Sequence, residues 1–334
     1  MCMICENENL TGLKDLECGG CQSLTTIPNI EGLEGLYCYD CPLLTNIPNI
    51  KGLKRLNCYG CQSLTTIPNI EGLKTLNCFG CPLLTNIPNI EGLKHLNCSD
   101  CESLTTIPNI EGLKHLICYE CPLLTNIPNI KGLKEIFCSN CSLLTTIPNI
   151  EGLERLLCNN NPLLTNIYNI IGLQDLYCYS CPLLTIIPNI EGLKQLDCSN
   201  CPLLINIPNI KGLENLRCSY NLLLTSIPNI KGLKILQCMS CPLLITIPNI
   251  KRLERLTCNN CPLLMYIPKN ITYNNYDRNL FKSPYEDCKY LTSDKMNKLY
   301  NNIYYLWKSY KLQKYVLYLE KEYYSNPRLP YMKY

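Results

Sequence analysis

The sixteen residues from Cys58 to Leu73, CYGCQSLTTIPNIEGL, decide the fold, because nearly the same phrase recurs along most of the chain. Placing Leu13, Leu33, Leu53 and every twentieth residue through Leu253 in one column gives thirteen units over residues 13–272, with no insertion or deletion. A fixed period of that length is the signature of a solenoid. Numbered from its first Leu, a unit reads L-x-x-L-x-C-x-x-C-x-x-L-T-x-I-P-N-I-x-G, with apolar or thiol side chains at positions 1, 4, 6, 9, 12, 15 and 18. Positions 4 and 6 alternate with 3, 5 and 7, as a strand with one buried face requires. Pro at 16 and Gly at 20 keep a long helix off the return path. Each unit therefore reads as one short strand, a turn and an extended return. Thirteen of them stacked at about 4.8 Å per strand make a rod or shallow arc of roughly 60 Å around one continuous core.

Composition agrees with such a core. Three Phe and one Trp stand among 334 residues that are 46% apolar, so the interior is aliphatic and sulfur-rich. The net charge of +3 and the lack of a basic block argue against a nucleic-acid partner. The start, MCMICENENL, has no basic region followed by a signal-length apolar run, and no window approaches a membrane span. The expectation is a soluble, intracellular protein in the reducing cytoplasm, where the 27 cysteines, an odd number, stay reduced.

The segment L53-K-R-L56-N-C58-Y-G-C61-Q-S-L64 resembles the signature of leucine-rich repeat proteins, and I67-P68-N69-I70 is similar to the return of their short, twenty-residue repeats. The resemblance covers about three quarters of the chain. It implies a mostly β repeat fold of the α/β repeat class, with a parallel sheet on a concave face and extended convex returns. It also implies a non-enzymatic scaffold that binds a protein partner on the exposed strand face. Enrichment in Asn, Ile, Lys and Tyr is similar to proteins of large DNA viruses of amoebae. One departure is that position 6, usually Leu in the family, is Cys in all thirteen units.

In that family the inward position 9 carries Asn or Cys and hydrogen-bonds the backbone as a ladder. Here the ladder would comprise Cys21, Cys41, Cys61, Cys81, Cys101, Cys121, Cys141, Asn161, Cys181, Cys201, Asn221, Cys241 and Cys261. A thiol packs as a small hydrophobe with a weak donor, so it fits such a slot. Asn161 and Asn221 argue against a metal or redox role for the repeated Cys-x-x-Cys, since a carboxamide rarely replaces a thiolate while Cys158 and Cys218 stay in place. Residues three apart on extended backbone also lie about 10 Å apart, too far for a disulfide. Parallel thiols about 4.8 Å apart do not converge on an ion. No metal and no cofactor are expected; a metal-binding or redox protein is the alternative, and a substrate-recruiting adaptor for ubiquitin ligation is another.

Function should lie where the units differ. Positions 3, 5, 7 and 8 vary and project from the exposed strand face. Candidate partner-binding residues are Tyr37, Tyr39, Tyr59, Phe79, Tyr119, Phe137, Tyr177 and Tyr179, together with His95 and His115, which should stack about 5 Å apart on adjacent strands. Drift on a tolerant solvent face is the plain alternative. Charges at positions 2 and 19, such as Glu71 with Lys74, read as solubilising pairs.

The two ends break the pattern. Residues 1–12 read as a degenerate partial repeat around Asn9-Leu10-Thr11-Gly12 that caps the array poorly. Residues 273–334 hold 14 of the 23 tyrosines and a net charge of +5. From Ser293-Asp294 onward, Met296, Leu299, Tyr300, Ile303, Leu306, Trp307 and Tyr310 keep helical spacing, so this segment reads as a helical cap or tail. No Ser-His-Asp set, phosphate-cradling Gly loop or paired-carboxylate motif marks an enzyme.

Overall fold

The computed structural model describes residues 2–6 and 8–264, and the backbone of 272–273. Each unit places a three-residue strand at positions 3–5, from Asp15–Glu17 in the first to Arg255–Thr257 in the last. The strands pair in sequence order and in parallel, each residue facing the one twenty further along, as Leu56 faces Leu76 and His95 faces His115. A fourteenth strand, Thr272–Tyr273, continues the sheet, but Arg255 faces Thr272, only seventeen residues on. The helical tail expected beyond Tyr273 lies outside the described residues.

The inward positions follow from the period. In the second unit Leu33, Leu36, Cys38, Cys41, Leu44 and Ile50 are fully buried and Ile47 nearly so, and the same seven positions repeat along one continuous core. Cys at position 6 is buried throughout, so the smaller side chain keeps the inward orientation that the strand pattern requires there. Burying apolar and thiol side chains from every coil against the next is what holds a unit that has no core of its own. On the return side, Thr146–Ile147 and Asn166–Ile167 form a small parallel pair, and single bridges join Asn86 to Thr106 and Ser226 to Thr246.

Two turns carry the chain around each coil. Position 8, expected to be a freely varying face residue, is held in the left-handed region: φ runs from 51° to 60° at Asp40, Asp100, Glu120, Asn140 and their equivalents, and Gly fills the slot at Gly20, Gly60 and Gly80. Asp, Asn, Ser and Gly dominate there because they tolerate that backbone. The glycine at position 20 does the same work ahead of the strand, with φ of 78° to 97° from Gly12 to Gly212.

The first coil is closed by the chain ahead of it. Glu6 N–H donates to Cys2 O at 3.1 Å and Glu8 N–H to Met3 O at 3.0 Å, so the chain at residues 2–6 turns back on itself. Cys2 is buried, and Met3, Ile4, Cys5, Leu10 and Leu13 pack against the end of the core.

Candidate functional site

On the open face of the sheet, side chains from one position form rows across the strands. Tyr39 and Tyr59 stack with centroids 5.0 Å apart and planes 4° from parallel. Gly19 makes this possible, because a Cβ there would run into the Tyr39 ring. Phe79 and Tyr119 lean together at 6.2 Å across the buried Ser99 between them. The small serine lets two rings on non-adjacent strands meet.

Polar groups stiffen the row. The Tyr39 hydroxyl donates to Glu17 at 2.5 Å, and hydrogen bonding to that carboxylate holds its phenol above the ordinary range. Arg55 donates to the Tyr37 hydroxyl at 3.0 Å and pairs with Asp15 at 2.7 Å, passing over Gly35, where a Cβ would meet the Asp15 carboxylate. His95 and His115 stack at 4.6 Å. His115 Nδ1 lies 2.8 Å from Glu135, which Arg155 also approaches at 3.4 Å. Burial opposes ionisation of Glu135, but His115 and Arg155 outweigh it and keep its carboxyl below the ordinary range. Arg155 also lies 5.6 Å above the Phe137 ring and 3.4 Å from Asp175. The Tyr177 hydroxyl donates to Gln195 at 3.0 Å, and Tyr179 is half-buried farther along.

Of the candidate face residues only His95 is exposed; Tyr37, Tyr39, Tyr59, Phe79, His115, Tyr119, Phe137, Tyr177 and Tyr179 are half-buried. Strands about 4.8 Å apart let each ring cover its neighbour's flank. The structure brings Tyr39 with Tyr59, Phe79 with Tyr119, and His95 with His115, while Tyr177 and Tyr179 stand in later coils. The position 2 lysines do not pair as the sequence suggested. Lys74, Lys94, Lys114 and Lys134 donate to the Gly carbonyl of the following turn, and Glu34 bridges Lys14 and Lys54.

Inside the core, the thiol at position 9 donates to the carbonyl of position 6 in the preceding coil: Cys41 to Cys18 at 3.2 Å, Cys61 to Cys38 at 3.1 Å, and so on to Cys261 to Cys238 at 3.1 Å. Cys81, Cys101, Cys121, Cys141, Cys181, Cys201 and Cys241 do likewise. Asn161 makes three bonds in that slot, donating to Cys138 O and Cys158 O and accepting from Cys141 N–H; Asn221 repeats the arrangement. Burial pushes the position 6 thiols Cys118, Cys138 and Cys158 well up, and Cys141 and Cys181 to about 11. These five thiols stay protonated at neutral pH, whereas at Cys61, Cys101 and Cys261 a hydrogen bond from a neighbouring thiol lowers the sulfur against the opposing effect of burial.

Cys21 departs from the ladder. Its Sγ lies 3.5 Å from Cys5 Sγ and 3.6 Å from Ser23 Oγ, and Cys2 Sγ lies 3.8 Å from Cys5 Sγ. Burial opposes its ionisation, but the hydroxyl and amide of Ser23 with the thiols of Cys2 and Cys5 hold Cys21 down to about 6. Burial raises Cys2. The sequence reading missed this cluster because Cys2 and Cys5 lie outside the repeat frame. It also missed three exposed isoleucines on the return side of successive units, Ile171, Ile186 and Ile205, whose signal is that most other units carry charged or small polar residues at those positions.

Two solved structures that this chain is similar to are leucine-rich repeat proteins. One, from Leptospira interrogans, has a TM-score of 0.52 and 22% identity, over 75% of this chain and 77% of that one. Another, from Bacteroides ovatus, has a TM-score of 0.49 and 16% identity, over 78% and 88%. No protein-family model matches the chain, and no curated protein does. The likeness to the Leptospira protein shows that the two share the leucine-rich repeat fold. No helix among the described residues is long and apolar enough to cross a membrane.

Proposed function

We propose that this chain is a scaffold that binds a protein partner through the open strand face, with the aromatic row of the second to sixth units as its anchor. The observation that carries this reading is the pre-set row itself: Tyr39 stacked on Tyr59 in adjacent units, then Phe79 leaning on Tyr119 across Ser99, all half-buried. Rings already fixed by their neighbours lose little freedom on binding, so their contact area converts efficiently into affinity. Arg55, Glu17, His95 and His115 around the row supply polar contacts that can select among partners. The thiol columns take no part in this role, being buried and turned to backbone carbonyls.

Affinity capture tests it, comparing the unaltered chain with a variant in which Tyr39, Tyr59 and Phe79 are all changed to Ser. The variant should melt within a few degrees of the parent yet lose its captured partner at least about tenfold, as truncating clustered aromatic anchors does. Equal recovery of the same partner by both forms would show that this row is not the anchor.

A further inference from the structure

We propose that Cys2, Cys5 and Cys21 form a three-thiolate site for one soft, zinc-class cation, with a fourth coordination position left for a ligand from outside. Among the described residues these are the one group of three such side chains whose ligand atoms all lie within 4.8 Å of one another. Their closer separations, 3.5 Å for Cys5 to Cys21 and 3.8 Å for Cys2 to Cys5, fit the chemistry. Four sulfurs at about 2.3 Å from a tetrahedral ion stand about 3.8 Å apart, so the triangle needs little movement to close on one.

The backbone explains why this Cys-x-x-Cys converges when the others do not. Cys2 and Cys5 sit on a turn closed by the Glu6 N–H to Cys2 O bond, which brings both thiols to one side. In the repeats the two cysteines leave the strand separately, one into the core and one toward a carbonyl, as Cys61 does toward Cys38. Cys21 supplies the third sulfur because its thiol meets Cys5 and Ser23 instead of a ladder carbonyl. Ser23 Oγ lies 3.6 Å from both the Cys5 and Cys21 sulfurs, placed to donate to a thiolate and orient it in the manner of an outer-shell partner. Cys2 and Cys21 are buried while Cys5 is half-exposed, so the site has a dry side against the core and an open side toward solvent.

Binding converts each thiol to a thiolate, its proton passing to solvent, so loading releases up to about three protons per ion and requires no oxidant. The ion would also tie the residues ahead of the first unit to its position 9, clamping the end of the stack.

The test uses the full chain, reduced and freed of metal with a chelator, then titrated with Zn2+ against a competing chromophoric chelator and separately with Co2+. The parent should take up one Zn2+ per chain and show a thiolate-to-cobalt charge-transfer band. Cys5→Ser and Cys2→Ser should weaken uptake at least about a hundredfold, the upper range for a lost ligand or supporting group, and diminish the band. Cys101→Ser, in the ladder, should leave both unchanged. No stoichiometric uptake by the reduced parent would overturn the proposal. So would uptake that survives Cys5→Ser and Cys2→Ser, uptake that falls equally in Cys101→Ser, or a Cys5–Cys21 disulfide in protein kept under reducing, oxygen-free conditions. Melting of the metal-free variants, compared with the metal-free parent, separates lost ligation from lost folding.

Discussion

Cys58 with Cys61 and Cys2 with Cys5 share one spacing and live in opposite environments. The first pair is fully buried within the stack, and its position 9 member donates to Cys38 O at 3.1 Å. The second pair lies on a closed turn at the end of the stack, sulfur to sulfur at 3.8 Å. The lesson is that spacing sets no thiol chemistry by itself. The backbone between the two cysteines decides whether their sulfurs part or meet, and the coil stacked before them decides whether a carbonyl is there to accept the thiol's hydrogen bond.

The contrast between mid-array and end can be broken most forcefully through the leucines. Leu116→Asp places an unpaired charge in the centre of the core and should cost ~4 kcal/mol or more, because the coils on both sides lose their shared face. Leu16→Asp, equally buried but in the first coil, should cost about half as much, since an end coil can fray without unstacking the rest. Thermal or denaturant melting decides, and equal losses would mean that the stack unfolds as one indivisible block. A smaller effect separates the two kinds of rung. Asn161→Ala leaves Cys141 N–H and the carbonyls of Cys138 and Cys158 without that partner and should cost ~2–4 kcal/mol. Cys101→Ala gives up one weak sulfur bond to Cys78 O and should cost about 1 kcal/mol. The gentlest probe alters no contact. Brief alkylation of the metal-free native protein, mapped by mass spectrometry, should mark Cys5 and Cys21 well before any ladder thiol. Because Cys21 is held to about 6, its labelling should climb as pH rises through that value and level off above it, whereas Cys41, raised to about 11, should stay unlabelled at pH 8. Labelling spread evenly over the array would contradict the burial of the columns.

The array was legible because a strict twenty-residue frame repeats the same inward set, so Leu56, Cys58, Cys61 and Leu64 announce one buried side without help from elsewhere. The row from Tyr39 to Phe79 was legible for the same reason, as variation on a fixed frame. Its half-burial was not, since mutual shielding depends on Gly19 and Ser99 admitting their neighbours' rings. Position 8 misled because variety among Asp, Asn, Ser and Gly looks like surface drift, when a left-handed φ is the constraint. The thiol cluster was hidden because the distance argument for Cys-x-x-Cys assumes extended backbone, and Cys2 to Cys5 is a turn. The strand at Thr272–Tyr273 fell out of frame by three residues, beyond what a twenty-residue period can foresee.

The two asparagine rungs have a mechanical consequence. A pulling force applied between the ends would peel coils one after another, each held to the next mainly by its own interface. Most rungs would yield a single sulfur bond, but Asn161 and Asn221 each fasten their coil to the preceding one with two stronger bonds. Extension of the filament would therefore stall twice on the way through, marking off stiffer segments within a rod that otherwise looks uniform.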